Sequence, residues 1–272
     1  MISVSSAPAF RRPQQVEIRR AADLIRITAL RSLKVRYRGT ILGVLWSFAN
    51  PVLMTAVYTA IFGTAYSKYY DGSVQLYIMA SFVGLVVVTF FVSATSEALT
   101  SVVGNGTLLN KLAVPPEVFP LSSVAANVFQ QAVTTFPVLI VASAVTTHDP
   151  VRVLLVPFVL LTLVMLATGF GLALAALYVF FRDLPHLWSI CAFMLWLTSP
   201  MFYPIQIAPA QLRPWFAINP VANQIAALRE VTISTGPLQQ GPLIAALLGG
   251  GITCAIGAVL FHRLRRDFMD LL

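Results

Sequence analysis

Charge is the property that this sequence has least of. Asp, Glu, Lys and Arg make up only 10% of the 272 residues, whereas soluble globular proteins carry about 25%. Hydrophobic residues make up 58%, and the mean hydropathy is +0.81. This composition excludes a soluble globule and predicts an all-α membrane protein that crosses the bilayer several times.

Groups for catalysis, metal binding or nucleotide binding are also scarce. Cys191 and Cys254 lie in apolar runs, and His148, His186 and His262 are far apart, so neither a disulfide framework nor a metal-ligand spacing is present. None of the 15 glycines precedes a lysine, so the Gly-Lys-Ser/Thr loop of nucleotide-binding proteins is missing. We therefore expect a chain that is not an enzyme and binds no cofactor or metal itself.

Long uncharged runs dominate the remainder of the chain. The 22 residues from Ile41 to Phe62 include no charged residue, and as a helix they would extend over about 33 Å, enough to cross a hydrocarbon core of about 30 Å. Comparable runs predict six spans in a membrane domain of residues 39–272, at about 41–62, 76–98, 121–145, 153–181, 187–203 and 242–261. Between the fifth and sixth spans, the proline-rich but apolar segment 204–236 predicts short re-entrant helices.

The amino-terminal 38 residues differ from the rest. Residues 1–15 are polar and contain proline, which predicts a flexible tail. Residues 16–38 predict an amphipathic helix in the membrane interface, with a solvated helix docked on a partner as the alternative. The apolar residues of this helix recur at helical spacing: Ile18, Ala22, Ile25, Ala29 and Leu33.

Positive charge is distributed unevenly along the chain, which has a net charge of +8. Nine of the 18 Lys and Arg residues precede Gly39, so half of the positive charge is at a membrane surface and does not indicate nucleic-acid binding. With six spans, 14 of the 18 lie on the side of the termini. The positive-inside rule then predicts that both termini are cytoplasmic.

Four separate stretches carry a resemblance to a known family. They are RYRGTILGVLWSFANPVLMTAVYTAIF, LLNKLAVPPEVFPLSSV, YVFFRDLPHLWS followed by SPMFYP, and NPVANQIAALREV. In this order they resemble the signature stretches of polysaccharide-export ABC transporter permeases, the Wzm and TagG family. The resemblance extends from about Ala21 to the carboxyl terminus.

The resemblance implies a six-span half-transporter in a bacterial plasma (inner) membrane that forms a homodimer. It would pair with two copies of a separate ATP-binding cassette subunit, which would hold ATP and Mg. The substrate would be a lipid-linked polysaccharide of the galactan, O-antigen or teichoic-acid type, and the Ala-, Val-, Arg- and Pro-rich composition favours the actinobacterial galactan exporter. Two alternatives remain: an ABC permease for a drug or haem, and a membrane-embedded glycan or lipid transferase, for which Glu97 alone supplies too little chemistry.

The resemblance also implies roles for particular residues. A coupling helix within 107–119 would contact the ATPase through Lys111, Leu112, Pro115, Pro116 and Glu117. A gate for the pyrophosphate head group would include Arg36, Tyr37 and Arg38, although these arginines could instead only fix topology and bind anionic lipids. The first and fifth spans would line the channel, with Trp46, Asn50, Tyr58, Trp188, Trp196 and Tyr203 as candidates. Aromatic rings suit sugar C–H faces, but packing is the competing interpretation.

Overall fold

A computed structural model describes residues 14–40, 43–111, 114–209, 211 and 213–268. Most of the predicted flexible tail, residues 1–13, lies outside this part of the chain. Within it all regular secondary structure is helical, which confirms the all-α fold class.

Eleven α-helices are present in the described residues. In chain order they are α1 (Gln14–Arg36), α2 (Trp46–Tyr66), α3 (Val74–Gly104), α4 (Gly106–Lys111), α5 (Val118–Val133), α6 (Phe136–Thr147), α7 (Pro150–Phe180), α8 (Leu184–Thr198), α9 (Arg213–Ile218), α10 (Pro220–Thr232) and α11 (Gln240–Leu264). Short 3₁₀ turns occur at Gly43–Leu45, Ser67–Tyr69, Ile205–Ile207 and Arg265–Asp267.

Four helical segments are long and apolar enough to cross a membrane. They are Gly43–Tyr69, Val74–Gly104, Pro150–Phe180 and Gln240–Asp267, and they correspond to the first, second, fourth and sixth predicted spans. The third predicted span is divided into α5 and α6, which are bent by 45° and would count as one further span together. The described chain therefore has four or five candidate spans, against the six predicted.

The break in the third span follows from its side chains. Thr134 Oγ1 donates to the Gln130 carbonyl at 2.9 Å, and Thr135 Oγ1 donates to Gln131 Oε1 at 2.8 Å. Pro137, near the start of α6, has no backbone N–H for the helical bond that would continue α5. The apolar pattern of residues 121–145 does not reveal this bend.

The fifth predicted span is shorter than expected. Helix α8 has 15 residues and ends at Thr198, which gives about 22 Å of helix. Pro200 follows at once, and a proline favours extended backbone in the preceding residue; Ser199 is indeed extended, with ψ of 133°. The helix therefore ends five residues before the predicted boundary of the span at residue 203.

The core of the bundle is formed mainly by α3, α7 and α10, and α11 packs against α7. Glycines bring α7 and α11 together: a Cβ on Gly250 would lie 2.5 Å from the Thr162 carbonyl oxygen, and one on Gly257 would overlap the carbonyl of Gly169. Such close backbone approach is a common way for membrane helices to associate.

The segment predicted to be re-entrant contains the 3₁₀ turn Ile205–Ile207, α9 and α10. Helix α10 packs against α3, α6, α7 and α11, and two arginines fasten it. Arg152 Nη1 donates to the carbonyls of Glu230 (2.5 Å) and Ser234 (2.7 Å), and Arg229 donates to the carbonyls of Ala80 and Met201. Guanidinium-to-carbonyl bonds thus tie α10 to α7, to α3 and to Met201.

Candidate functional site

Helix α1 is docked on α5 through part of its predicted apolar face. Ala29 and Leu33 are buried and pack against Ala126 of α5. Apolar residues on the other side of α1 remain exposed: Ile27 is 63% exposed and Val35 is 69% exposed. The face that we expected to enter the membrane interface therefore contacts protein at its carboxyl-terminal half, and a second apolar strip is left uncovered.

A polar network joins the end of α1 to α3 and α5. Arg36 forms an ion pair with Glu97 through Nη2, and its Nη1 donates to Gln130 Oε1 at 2.9 Å. Asn127 Nδ2 also donates to Glu97, at 2.9 Å, and the Tyr37 hydroxyl donates to Gln130 Oε1. We call these five residues the Glu97 network.

The network explains a carboxylate inside a predicted membrane span. An unpaired charge at membrane depth is costly, so it pairs or stays wet. Glu97 is paired, because it forms an ion pair with Arg36 and accepts a hydrogen bond from Asn127. Two of the predicted gate residues, Arg36 and Tyr37, are therefore held in hydrogen bonds, whereas Arg38 is exposed.

Beside the network lies a cleft of about 440 Å³ between α1, the carboxyl-terminal end of α3 and the start of α5. We call it the α1 cleft. Its polar lining includes Arg31, Ser32, Arg36, Asn105, Ser122 and Ser123. None of the described residues that line it is acidic, so its local charge is positive.

The predicted coupling segment is only partly described. Leu112 lies outside the described residues, and for Lys111 the structure gives the backbone alone. Pro115 and Pro116 lie between α4 and α5. Glu117 forms an ion pair of 2.7 Å with Arg265, at the carboxyl-terminal end of α11. The sequence patterns did not indicate this partner, because Arg265 entered the predictions only as one of the positive charges that orient the termini.

The candidate channel residues differ in their exposure and contacts. Trp46 is 53% exposed, and Asn50 is also exposed. Tyr58 stacks on Phe202 with ring centroids 3.4 Å apart, and Trp196 lies 5.5 Å from the same ring.

The other two candidates, Trp188 and Tyr203, form hydrogen bonds within the chain. Trp188 is buried against Phe91 and Phe170, and its Nε1 donates to Ser96 Oγ at 3.1 Å. The Tyr203 hydroxyl donates to the Leu197 carbonyl at 3.1 Å. For Trp188 the single chain favours the packing interpretation.

Comparison with known proteins identifies the family. The profile of the family described as "ABC-2 type transporter" matches residues 23–233. The chain belongs to the ABC-2 type transporter family. The matched region extends from α1 through α10, so the Glu97 network, the α1 cleft and the α4–α5 connection of this ABC-2 transporter all lie within it.

The names of individual relatives of this ABC-2 transporter refer to the export of O-antigen or capsule polysaccharide. It is 27% identical over 252 residues to an O-antigen export system permease protein RfbA of Klebsiella pneumoniae, covering 92% of this chain and 95% of that protein. A protein of the same name from Myxococcus xanthus is 26% identical over 88% of this chain and 92% of its own length. The capsule polysaccharide export inner-membrane protein CtrC of Neisseria meningitidis is 23% identical over 71% and 73%.

Proposed function

We propose that this chain is the membrane subunit of an ATP-driven exporter that moves a lipid-linked polysaccharide from the cytoplasmic side of a bacterial inner membrane. The observation that carries the proposal is the similarity to O-antigen export permeases over 92% of the chain. Helices long enough to cross a membrane support it. The glycan is of the galactan, O-antigen or teichoic-acid class.

The energy source is a separate ATP-binding cassette subunit, present in two copies and holding ATP and Mg. Absence of a Gly-Lys loop from the whole sequence supports this division of labour. The basic residues cluster at α1 and at the end of α11, which favours a cytoplasmic location for both termini under the positive-inside rule.

The contact with this ATPase is the α4–α5 connection. Two consecutive prolines stiffen it, and the Glu117–Arg265 ion pair fastens it to the end of the last helix. A displacement of α4 by the partner would therefore be transmitted to both α5 and α11. Lys111, Leu112, Pro115, Pro116 and Glu117 remain the residues proposed to contact the partner.

Two copies of the chain form the export channel. Helices α2 and α8 expose most of their apolar surface in the single chain, which is where a second copy would bind. Trp46, Asn50, Tyr58, Trp196 and Tyr203 are placed on or beside these two helices and are the proposed glycan contacts. Arg38, together with the networked Arg36 and Tyr37, is the proposed head-group gate.

Co-purification with the partner tests the proposal. The full chain alone should hydrolyse no ATP, and hydrolysis should appear when it is assembled with the ATP-binding cassette subunit of its own exporter. Glu117→Ala should reduce hydrolysis of the complex severalfold.

Arg265→Ala separates coupling from anchoring, because it breaks the same ion pair without changing a proposed contact residue. A loss confined to Glu117→Ala assigns this residue to the partner contact, and equal losses assign the effect to the ion pair. Hydrolysis by the isolated chain, or a partner that never binds it, would refute the proposed function.

A further inference from the structure

A second cavity, of about 630 Å³, lies at the opposite end of α3 from the α1 cleft. Its walls are the turn that joins α2 to α3, residues 204–206 with part of α9, one face of α10, and the start of α11. We call it the α10 pocket. Its volume is typical of ligand pockets, which measure about 300–1,000 Å³. The described residues that line it include none of those proposed above for the channel, the gate or the ATPase contact.

The charged groups of the α10 pocket balance one another. Two acidic and two basic side chains line it: Asp71, Glu230, Arg213 and Arg229. Behind the wall, Arg152 pairs at 3.5 Å with both Glu230 and Asp149, so this guanidinium is offset as well. A site that selects phosphate groups carries an excess of positive charge. The balance therefore favours a neutral polar ligand over an anion.

The two lining arginines are held in place and still have hydrogen-bond donors to offer. Arg229 donates through Nε and Nη2 to the carbonyls of Ala80 and Met201, and Arg213 donates through the same two nitrogens to carbonyls within residues 206–208. The Nη1 group of each makes no hydrogen bond to the described residues. Because a hydroxyl both donates and accepts, guanidinium and carboxylate groups in one pocket suit a ligand with many hydroxyls.

Three aromatic rings line the same pocket: Tyr69, Tyr70 and Phe216. Tyr69 is 38% exposed. Tyr70 packs edge-on against Tyr77 with ring centroids 5.9 Å apart, and Phe216 packs edge-on against Tyr203 at 6.4 Å, so two of the rings are supported from behind. Aromatic rings suit the C–H faces of sugars. The rings, together with the balanced polar groups, therefore indicate a saccharide.

A series of contacts leads from the proposed glycan contacts to this pocket. Tyr58 and Trp196 both pack against the ring of Phe202. The hydroxyl of Tyr77 donates to the Phe202 carbonyl at 2.9 Å, and the ring of Tyr77 contacts Tyr70 in the pocket wall. A glycan that leaves the channel along these aromatic residues would thus meet the α10 pocket.

We propose that the α10 pocket is a saccharide-binding site that holds a short neutral segment of the glycan after it has left the channel. Tyr69 and Phe216 stack on the sugar rings, and Asp71 and Arg213 bond their hydroxyls. Assignment of this saccharide to the exported chain rests on the proposed function, which places α1 on the cytoplasmic side and this pocket on the other. The site favours a neutral glycan over a phosphate-rich one such as a teichoic acid.

Binding of soluble trisaccharides to the full chain in phosphatidylcholine nanodiscs tests the proposal. Galactotriose, mannotriose and maltotriose are the probes, titrated by saturation-transfer difference NMR, and at least one should bind. Tyr69→Leu should weaken this binding about fivefold, because the stacking face is lost while an apolar side chain remains. The matched control is Phe129→Leu, which removes a half-exposed ring of α5 outside the pocket and should leave the affinity unchanged.

An anion and a lipid head group are the competing occupants. Inorganic pyrophosphate should fail to displace the trisaccharide, and phosphatidylglycerol added to the discs should not change its affinity. Arg213→Gln should weaken trisaccharide binding severalfold, because a charged donor to a sugar hydroxyl is lost. Displacement by pyrophosphate assigns the pocket to an anion, and loss of binding in phosphatidylglycerol discs assigns it to bilayer lipid; either result overturns the proposal.

The proposal also fails if no trisaccharide binds, or if Tyr69→Leu and Phe129→Leu have the same effect. Melting temperatures show whether the variants fold, and Phe216→Leu repeats the test at a second ring of the pocket. Failure here is separable from failure of the proposed function. A complex that exports polysaccharide although its membrane subunit binds no saccharide refutes the pocket alone. Trisaccharide binding with these variant effects, in a chain that never couples to an ATPase, refutes the transport function instead.

Discussion

Helices α3 and α2 are adjacent, yet protein covers them very differently. Of an 18-residue apolar stretch in each segment, 67% is buried in α3 but only 11% in α2. Helix α8 is weakly covered like α2, because only Trp188 and Ala192 of its 15 residues are buried. The difference separates a packed scaffold around α3, α7 and α10 from weakly covered helices such as α2 and α8. Helix α11, of which 17% is buried in the same measure, touches this scaffold along its glycines.

The reason for this division is physical and functional. Lipid tails are as apolar as the exposed side chains of α2 and α8, so exposure in a bilayer carries no hydrophobic cost. The scaffold instead depends on close backbone contacts and buried hydrogen bonds. Because most of the proposed channel and dimer contacts lie on or beside α2 and α8, we expect mutations there to change assembly, and mutations in the scaffold to change folding.

The largest expected loss of stability is at Arg152. Arg152→Met leaves the Glu230 carboxylate and three carbonyls of the α10 end without their buried donor, which should cost about 3–5 kcal/mol. Thermal unfolding in detergent measures the loss. The control Arg213→Met removes an exposed guanidinium that also donates to backbone carbonyls and should cost less than about 1 kcal/mol; equal losses would contradict the buried role of Arg152.

A smaller loss is expected where α7 and α11 touch. The new methyl of Gly257→Ala would meet the backbone carbonyl of Gly169, and overpacking of this kind costs about 1–3 kcal/mol. Gly251→Ala on the same helix is the matched control, since its Cβ would have only Met165 Cε at 4.0 Å. Indistinguishable melting temperatures for the two variants would show that the contact is not close.

The smallest change in stability is expected on α8. Phe193 is 59% exposed, so Phe193→Ala should alter the unfolding free energy by less than about 0.5 kcal/mol. Under the proposed function it should nevertheless reduce the fraction of dimer, measured by mass photometry of the purified complex. A large drop in the stability of the monomer would contradict the description of α8 as a weakly covered helix.

How much of the structure can be predicted from the sequence depends on how many residues separate the interacting side chains along the chain. Uninterrupted apolar runs predicted the first, second, fourth and sixth spans because span length follows from local composition. The bend at Thr134 depends on side-chain hydrogen bonds that hydropathy ignores. Partners such as Arg36 and Glu97 are 61 residues apart, so no local pattern links them, and the α1 cleft needs three helices to be in place before it exists.

Reconstitution of transport tests the central claim most directly. The chain and its ATP-binding cassette subunit are inserted into liposomes with a lipid-linked polysaccharide, and appearance of the glycan on the side opposite the ATPase is measured with a membrane-impermeant lectin. The account predicts accumulation that requires both subunits and ATP hydrolysis. Glycan that stays on the ATPase side despite coupled hydrolysis would contradict it.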